Sequence, residues 1–506
     1  MRGLFPRGVL IIAAVSFGLW MLVAHRYGFH RDELYFIEGG HHPAWAQPDN
    51  PILVPLLAAG WHGLVGGNLT LFRLLPALAG VATILLGSLT AREIGASRRA
   101  QVVTALMVAS SSFPLAVAHL FSISTFDLAL TTGVLLLLIR AIGRPTSLRA
   151  WLTAGLVAGI ALEVKVLIAL VLASCLVGVL AVGPRGVLRR PGPWLAAAIA
   201  LVGAAPNLIW QARHSWPMLE VARNIASGGS TSSADRVMII PLVLLLISPL
   251  LCWILILGFV ATFRSEPLRP YRWIPVAFLI LLALMIITGG KPYYLGGFFP
   301  VGLALGSVPL VAWLERSRRR HIAAVAVFAI FLPPTVAFGL PLAPVGSPVF
   351  QVAVAVNPDM AETVGWSPFV DTVTAVVART PGAGEGDTII LARNYGEAGA
   401  LSRARRLGSG TAADTGSPSA TRLPPVYSGH NAYAEWGPPP ESAQTAVVVG
   451  DFTEPELTAW FAECELAATY ASPPGVDNEE DGALIRICQR PRTTWAALWP
   501  QVSRLG

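Results

Sequence analysis

Between residues 8 and 340 the chain returns eleven times to an apolar run of about membrane-crossing length, more than a water-soluble core would bury. The runs lie at about 8–25, 69–90, 100–118, 122–141, 150–164, 166–183, 194–211, 237–261, 273–288, 297–314 and 321–340. A spanning helix needs about 20 mostly apolar residues, so each run predicts one transmembrane helix. Only 13% of the chain is charged, where soluble domains carry about a quarter, which supports the same class.

Charge then sets the expected orientation. Arginine clusters fall at 2–7, 92–99, 140–149, 185–190, 264–272 and 316–320, alternate loops of an eleven-span chain whose amino terminus is cytoplasmic. The alternation requires 150–183 to be two short spans broken near Glu163-Val164-Lys165. Arg2 and Arg7 before the first run, with no small-residue cleavage site after it, predict a retained signal-anchor. The net charge of +7 is unevenly spread: residues 341–506 hold ten Arg, no Lys and eighteen Asp or Glu, leaving the basic excess in 1–340. That is a topology pattern rather than a nucleic-acid footprint.

Two domains follow. Residues 1–340 form the transmembrane domain, with 26–68 as a long first exterior loop. Its His41-His42, Trp45, Trp61 and His62 among apolar residues suit helices lying in the membrane interface. Residues 341–506 form a small extracytoplasmic α/β domain. Thr388 to Ala392 and Ala446 to Gly450 read as buried strands, and Thr453 with Glu456 has capping-box spacing before a helix. Gly408 to Ser419 reads as a loop. Cys464 and Cys488 are the disulfide candidate on that side, whereas Cys175 and Cys252 lie in apolar runs.

Against this background a few polar residues stand out. Asp32 and Glu33 lie one short loop beyond the first run; adjacent carboxylates either cap the next helix or do chemistry. Of 36 basic residues only Lys165 and Lys291 are lysines, and both fall on the exterior side of this topology. An ammonium binds phosphate as a compact charge, and Lys291 sits in Gly289-Gly290-Lys291-Pro292-Tyr293-Tyr294, where Tyr293 and Tyr294 add hydroxyls. Arg73, at the outer end of the second span, meets either lipid headgroups or a substrate phosphate. Asp127 lies inside the fourth span, where a carboxylate is costly and needs a partner or a role. Asn207, Trp210 and Gln211 mark the outer end of the seventh span and are candidates to line a sugar pocket. Tyr427 to Asn431 and Trp436-Gly437-Pro438 read either as a carbohydrate grip or as packed loops. His30, His41 and His42 lack a recurring ligand spacing, so no metal centre is expected, and no glycine-rich nucleotide loop is found.

Asp32-Glu33-Leu34-Tyr35, then Gln47-Pro48-Asp49-Asn50-Pro51, Leu53-Val54-Pro55 and Leu71-Phe72-Arg73-Leu74-Leu75-Pro76 resemble the amino-terminal signature of bacterial family 39-type glycosyltransferases. Asp127, Pro206 to Gln211 and Gly290 to Tyr294 extend the likeness over residues 20–310. These are GT-C enzymes, similar to protein O-mannosyltransferases and the aminoarabinose–lipid A transferase. The resemblance implies inverting transfer of a sugar from a polyprenyl-phosphate carrier to an extracytoplasmic lipid, glycan or protein. It places the general base at Asp32, and Glu33 beside it reads as hydrogen-bonding or orienting rather than reacting; the donor is lipid-linked, no cofactor is certain, and a divalent metal is the less favoured addition. The residues admit rival readings: a transferase for another lipid donor such as an arabinofuranosyl carrier, a transporter or flippase of lipid-linked sugars, or a non-enzymatic envelope-assembly subunit. A transporter would favour inverted repeats, and the chain has none visible.

Overall fold

A computed structural model describes residues 3–228, 235–380, 382, 386–408 and 423–506, and divides the chain into two compact units. The first comprises Met1–His25 and Thr70–Leu340; the second comprises Arg26–Leu69 and Pro341–Gly506. The whole segment expected to form a loop of 26–68 on the transmembrane domain is thus grouped with the carboxy-terminal residues. The segment 409–422, which covers most of the loop expected at Gly408 to Ser419, lies outside the described residues.

The first unit is helical. Every expected apolar run carries helix, but the runs differ in continuity. Leu148–Leu162 and Ile168–Val182 are separate helices, with the break at Glu163 to Leu167. The run at 100–118, expected as one span, is divided into Arg98–Ala109 and Ser112–Val117. Its Ser110 hydroxyl bonds back to the Leu106 and Met107 carbonyls, while Ser111 donates to the distant Ile247 carbonyl at 2.8 Å. The run at 237–261 is bent by 96° between Ile239–Ile247 and Pro249–Arg264. Ser248 has φ +97°, and the proline after it disfavours helical backbone. By length and composition four described helices can cross a membrane, or five if the bent pair is one span.

Helices in lipid gain little from mutual hydrophobic burial, so close backbone packing at small residues must hold them together. Gly155 and Gly159, four apart, meet the second helix of such a pair, Pro191–Arg213. A Cβ on Gly155 would lie 2.5 Å from the Ala196 carbonyl oxygen, and one on Gly203 would lie 2.9 Å from Cα of Gly159. Gly302 and Gly306 repeat the device, receiving Gly258 so closely that its Cβ would stand 2.4 Å from the Gly306 nitrogen.

The second unit is built on a five-stranded sheet: β1 (Thr388–Ala392), β2 (Val426–Ser428), β3 (Thr445–Val449), β4 (Phe461–Thr469) and β5 (Leu484–Pro491). The order is β2-β1-β3-β5-β4, with β1 parallel to β2 and β3 and the remaining pairs antiparallel. β1 and β3 are buried on both faces. Ile389, Leu391 and Val448 pack with Trp495 and Trp499, while Ile390, Val447 and Val449 pack with Phe369, Val376 and Leu401. A central strand covered on both sides reads as a continuous apolar run, which is why these two were visible in the sequence. Edge strand β4 is tied to β5 by a Cys464–Cys488 disulfide in register. The Thr453–Glu456 capping box opens the helix Glu454–Trp460.

Helices Arg31–His41 and Leu53–Leu64 of this unit are equally closely packed. Gly40 accommodates the Pro55 carbonyl, and Gly399 of the helix Tyr395–Gly408 lies under Leu34.

Candidate active site

Two polar clusters, one in each unit, gather most of the residues singled out in the sequence.

In the second unit, Asp32 stands in the first turn of Arg31–His41. The turn is fixed by a reciprocal cap: the His30 ring accepts from the Asp32 N–H at 3.1 Å, and the Glu33 carboxylate accepts from the His30 N–H at 2.8 Å. Glu33 is fully buried in that task, so the adjacent carboxylates have different surroundings, one inside and one partly open. Asp32 Oδ1 accepts a hydrogen bond from the Tyr395 hydroxyl at 2.9 Å. Beside it, Tyr35 donates to Asp49 Oδ1 at 2.8 Å while accepting from the Ala432 N–H at 3.1 Å. The Tyr35 and Tyr395 rings lie 4.6 Å apart. Burial, with a smaller contribution from the Asp32 charge, pushes the Asp49 carboxyl up to about 6 against the opposing Tyr35 bond. Arg31 lies over the Tyr395 ring at 4.7 Å and pairs with Glu479 and Glu362. Sequence reasoning did not select Tyr395, Tyr35 as a hydrogen-bond partner, or the two acids that hold Arg31.

In the first unit the fold brings Asp127, Lys165, Tyr293 and Tyr294 together from three distant stretches of chain. Lys165 leaves the backbone at the break between Leu148–Leu162 and Ile168–Val182. Its ammonium lies 3.4 Å from Asp127 Oδ2, and 5.0 and 4.6 Å from the ring centres of Tyr293 and Tyr294. Thr131, one turn along the same helix, donates to Asp127 Oδ1 at 2.9 Å. Both tyrosines belong to a short 3-10 turn, Pro292–Leu295, made accessible by Gly289, which ends the preceding helix with φ +70°. Burial and the nearby Asp127 charge push the Tyr294 hydroxyl up to about 12, so it remains a donor at any working pH. Lys291 begins the same turn and is half-buried.

The other candidates are placed differently. Arg73, 1% exposed, donates to the Ala24 carbonyl at 3.0 Å, where the first helix ends. The enclosed guanidinium thus ties the start of one helix to the end of another. Gln211 is buried and accepts from the Met218 N–H at 3.2 Å, fixing the turn into the helix Pro217–Ala226. Trp210 stacks on His214 with ring centres 3.9 Å apart, and Asn207 is buried on the same helix.

Residues 49–210 match the model of the dolichyl-phosphate-mannose-protein mannosyltransferase family. No curated protein matches the sequence. Among solved structures, the chain is similar to ArnT from Cupriavidus metallidurans, both bound to undecaprenyl phosphate and in the apo state. Each gives a TM-score of 0.60 at 16% identity, covering 95% of this chain and 97% of that one. A lower similarity, TM-score 0.49 at 15% identity, covers 78% of this chain and 61% of the Archaeoglobus fulgidus oligosaccharyltransferase crystallised with zinc and sulfate. The ArnT likeness shows the fold: a multi-helix membrane unit of GT-C type with a small carboxy-terminal sheet domain.

Proposed function

We propose that this chain, a GT-C protein of the protein mannosyltransferase and ArnT-like family, transfers a hexosyl or pentosyl group from a polyprenyl-phosphate donor to an extracytoplasmic acceptor. The observation that carries the reading is the Lys165 nest. A lysine held by one carboxylate and two tyrosines, inside an otherwise apolar helical unit, is a place for a phosphate. The undecaprenyl phosphate bound to ArnT supports a lipid-linked donor.

In this mechanism Asp32 is the general base. An acceptor hydroxyl is a poor nucleophile until its proton is taken, and a positioned carboxylate contributes about 10²–10⁴-fold by taking it. The acceptor oxygen bonds to the anomeric carbon from the face opposite the phosphate, the bond to the phosphate oxygen breaks, and configuration inverts. Lys165, with Lys291 and the Tyr293 and Tyr294 hydroxyls, receives the charge of the departing phosphate. Asp127 orients Lys165. Glu33 fixes the turn that presents Asp32, and Arg73 braces the helices. Asn207 and Trp210 are retained as sugar contacts, with Gln211 shaping the turn beside them. The second unit and the donor lie on the extracytoplasmic side of the cell membrane.

The test is transfer of label from radiolabelled polyprenyl-phosphate sugars to cell-envelope fractions by the purified full chain. Native protein is expected to transfer and Asp32→Asn to fall at least about 100-fold, the lower end of a general base's contribution. An Asp32→Asn protein as fast as the native one removes the mechanism.

A further inference from the structure

The second unit holds an unassigned contact that bears on the base itself. Asp32 and Tyr395 are 363 residues apart in the chain, yet their side chains form one hydrogen bond. We infer that Tyr395 is a positioning residue for the general base: its hydroxyl occupies Oδ1 of Asp32 and aims Oδ2 at the acceptor hydroxyl. This rests on the reading of Asp32 given above.

Both ends of the contact are built rigidly. Asp32 lies in a turn locked by the His30 and Glu33 cap. Tyr395 lies in another: the Arg393 and Asn394 N–H groups donate to the Glu397 carboxylate at 2.8 and 3.0 Å, and the Asn394 side chain accepts from the Glu397 N–H at 2.9 Å. Arg504 adds a bond to the Arg393 carbonyl at 3.0 Å. The Tyr395 ring is set between Tyr35 at 4.6 Å, His430 at 5.0 Å and the Arg31 guanidinium at 4.7 Å. A phenol fixed on all these sides has little freedom to turn its hydroxyl away, and burial holds that hydroxyl well above its ordinary pKa, so it donates and does not ionise.

The chemistry follows from which oxygen is engaged. Among the described residues, Asp32 Oδ1 takes the Tyr395 bond and no hydrogen bond reaches Oδ2. Oδ2 therefore accepts the acceptor's proton as the new glycosidic bond forms and the phosphate departs with the bonding pair. Tyr395 transfers nothing. A hydroxyl that donates to a carboxylate stabilises its charged form, so losing such a donor shifts the acidic limb of a rate profile upward. The other charged or titratable groups in this cluster include Arg31, Asp49 and His30, with Tyr35, Glu362 and Glu479 beside them. They remain when Tyr395 is altered. A purely structural rival, in which the bond only fastens Arg31–His41 to the helix Tyr395–Gly408, predicts lost stability with an unmoved pH profile.

The experiment compares native protein, Tyr395→Phe and Asp32→Asn, all as full chains in detergent, by steady-state transfer from a radiolabelled polyprenyl-phosphate sugar across the acidic to neutral range. Tyr395→Phe keeps the ring and its neighbours. Its kcat is expected to fall about tenfold with donor KM within about twofold, and the acidic limb of kcat to move up by about one pH unit. Native kcat and an unmoved limb overturn the inference. If the Phe variant does not fold, 3-fluorotyrosine placed at 395 decides: a stronger donor must move the limb down, and an unmoved limb overturns the proposal. Asp32→Asn separates the two levels. An inactive Asp32→Asn beside an unaltered Tyr395→Phe sinks this inference alone, whereas an active Asp32→Asn sinks the reading beneath it and the inference with it.

Discussion

Replacing Lys165 with methionine keeps the length of its stem and removes its charge, and so exposes what the Asp127 pair does. At the observed 3.4 Å, two unit charges attract by about 5 kcal/mol at an effective dielectric of about 20. Desolvation opposes this, and side-chain exposures of 15% and 16% leave water some access to both groups. A net coupling of about 2 kcal/mol is the expected remainder, within the range measured for residues in contact. Among the described residues, Lys165→Met leaves Asp127 with only the Thr131 hydroxyl as a hydrogen-bond donor, so its cost exceeds that coupling and reaches about 3 kcal/mol. Asp127→Asn leaves the ammonium its two tyrosine faces, each worth about 0.5–2 kcal/mol, and costs less. The double variant should therefore be about 2 kcal/mol more stable than the sum of the singles predicts. Reversible unfolding of the full chain in mixed detergent measures the cycle, and the transfer assay is run on the same four proteins. Transfer should stay lost in the double variant, since neutralising Asp127 does not restore a cation for phosphate. Additive stabilities to within about 0.5 kcal/mol would refute the pair, and recovered transfer would refute the phosphate role.

Two further outcomes follow from the second unit. Asp49 has its carboxyl raised from 3.8 to about 6, so the protonated form favours the folded state. That stabilisation is full below about 4 and is lost as pH rises through about 6, which makes the stability difference between Asp49→Asn and native protein grow by up to about 3 kcal/mol over that window. Melting curves at both ends of the window check it, and an equal difference at both removes the linkage. Separately, Cys464→Ser with Cys488→Ser should cost about 3 kcal/mol by freeing a loop of 24 residues, and Cys464 and Cys488 of the native chain should resist maleimide until reduced. Label mapped to Cys464 or Cys488 without reductant in freshly isolated membranes would place this unit on the reducing side.

The residues of the site were more legible than their arrangement. Asp127 and Lys165 stand out because a charge in an apolar run is costly, and that rule needs no structure. Their contact does depend on structure: it requires the helix break at Glu163 to Leu167 and the glycine-ended turn at Gly289 to deliver Tyr293 and Tyr294. Tyr395 was hidden for another reason. Asn394 and Glu397 carry capping spacing that could have placed the helix start, but nothing local names a partner 363 residues away. Strand β4 reads Phe-Ala-Glu-Cys-Glu-Leu-Ala-Ala-Thr, rich in residues that favour helix, and only its pairing with β5 makes it a strand. The two broken runs did carry signals, a serine triplet at 110–112 and Ser248-Pro249, that hydropathy alone overrides. Arg73 reads as meeting either lipid headgroups or a substrate phosphate because sequence places it at a helix end, whereas its burial and its bond to the Ala24 carbonyl need the structure.

The manner in which Lys165 is held also bears on when it acts. An ammonium already paired with Asp127 offers only part of its field to a phosphodiester carrying one negative charge. As the sugar leaves, the phosphate gains charge toward two, and the same fixed ammonium attracts it more strongly. An interaction that grows along the reaction coordinate lowers the barrier rather than merely tightening binding. The pre-set partners matter because Asp127 and the two tyrosine rings hold the ammonium before the charge appears, so little reorganisation is needed when it does. Lys165→Met should then depress kcat by more than it raises donor KM. An effect confined to KM would mean that the lysine holds the donor equally at every stage, and that the growth of charge on the leaving group is met by other residues.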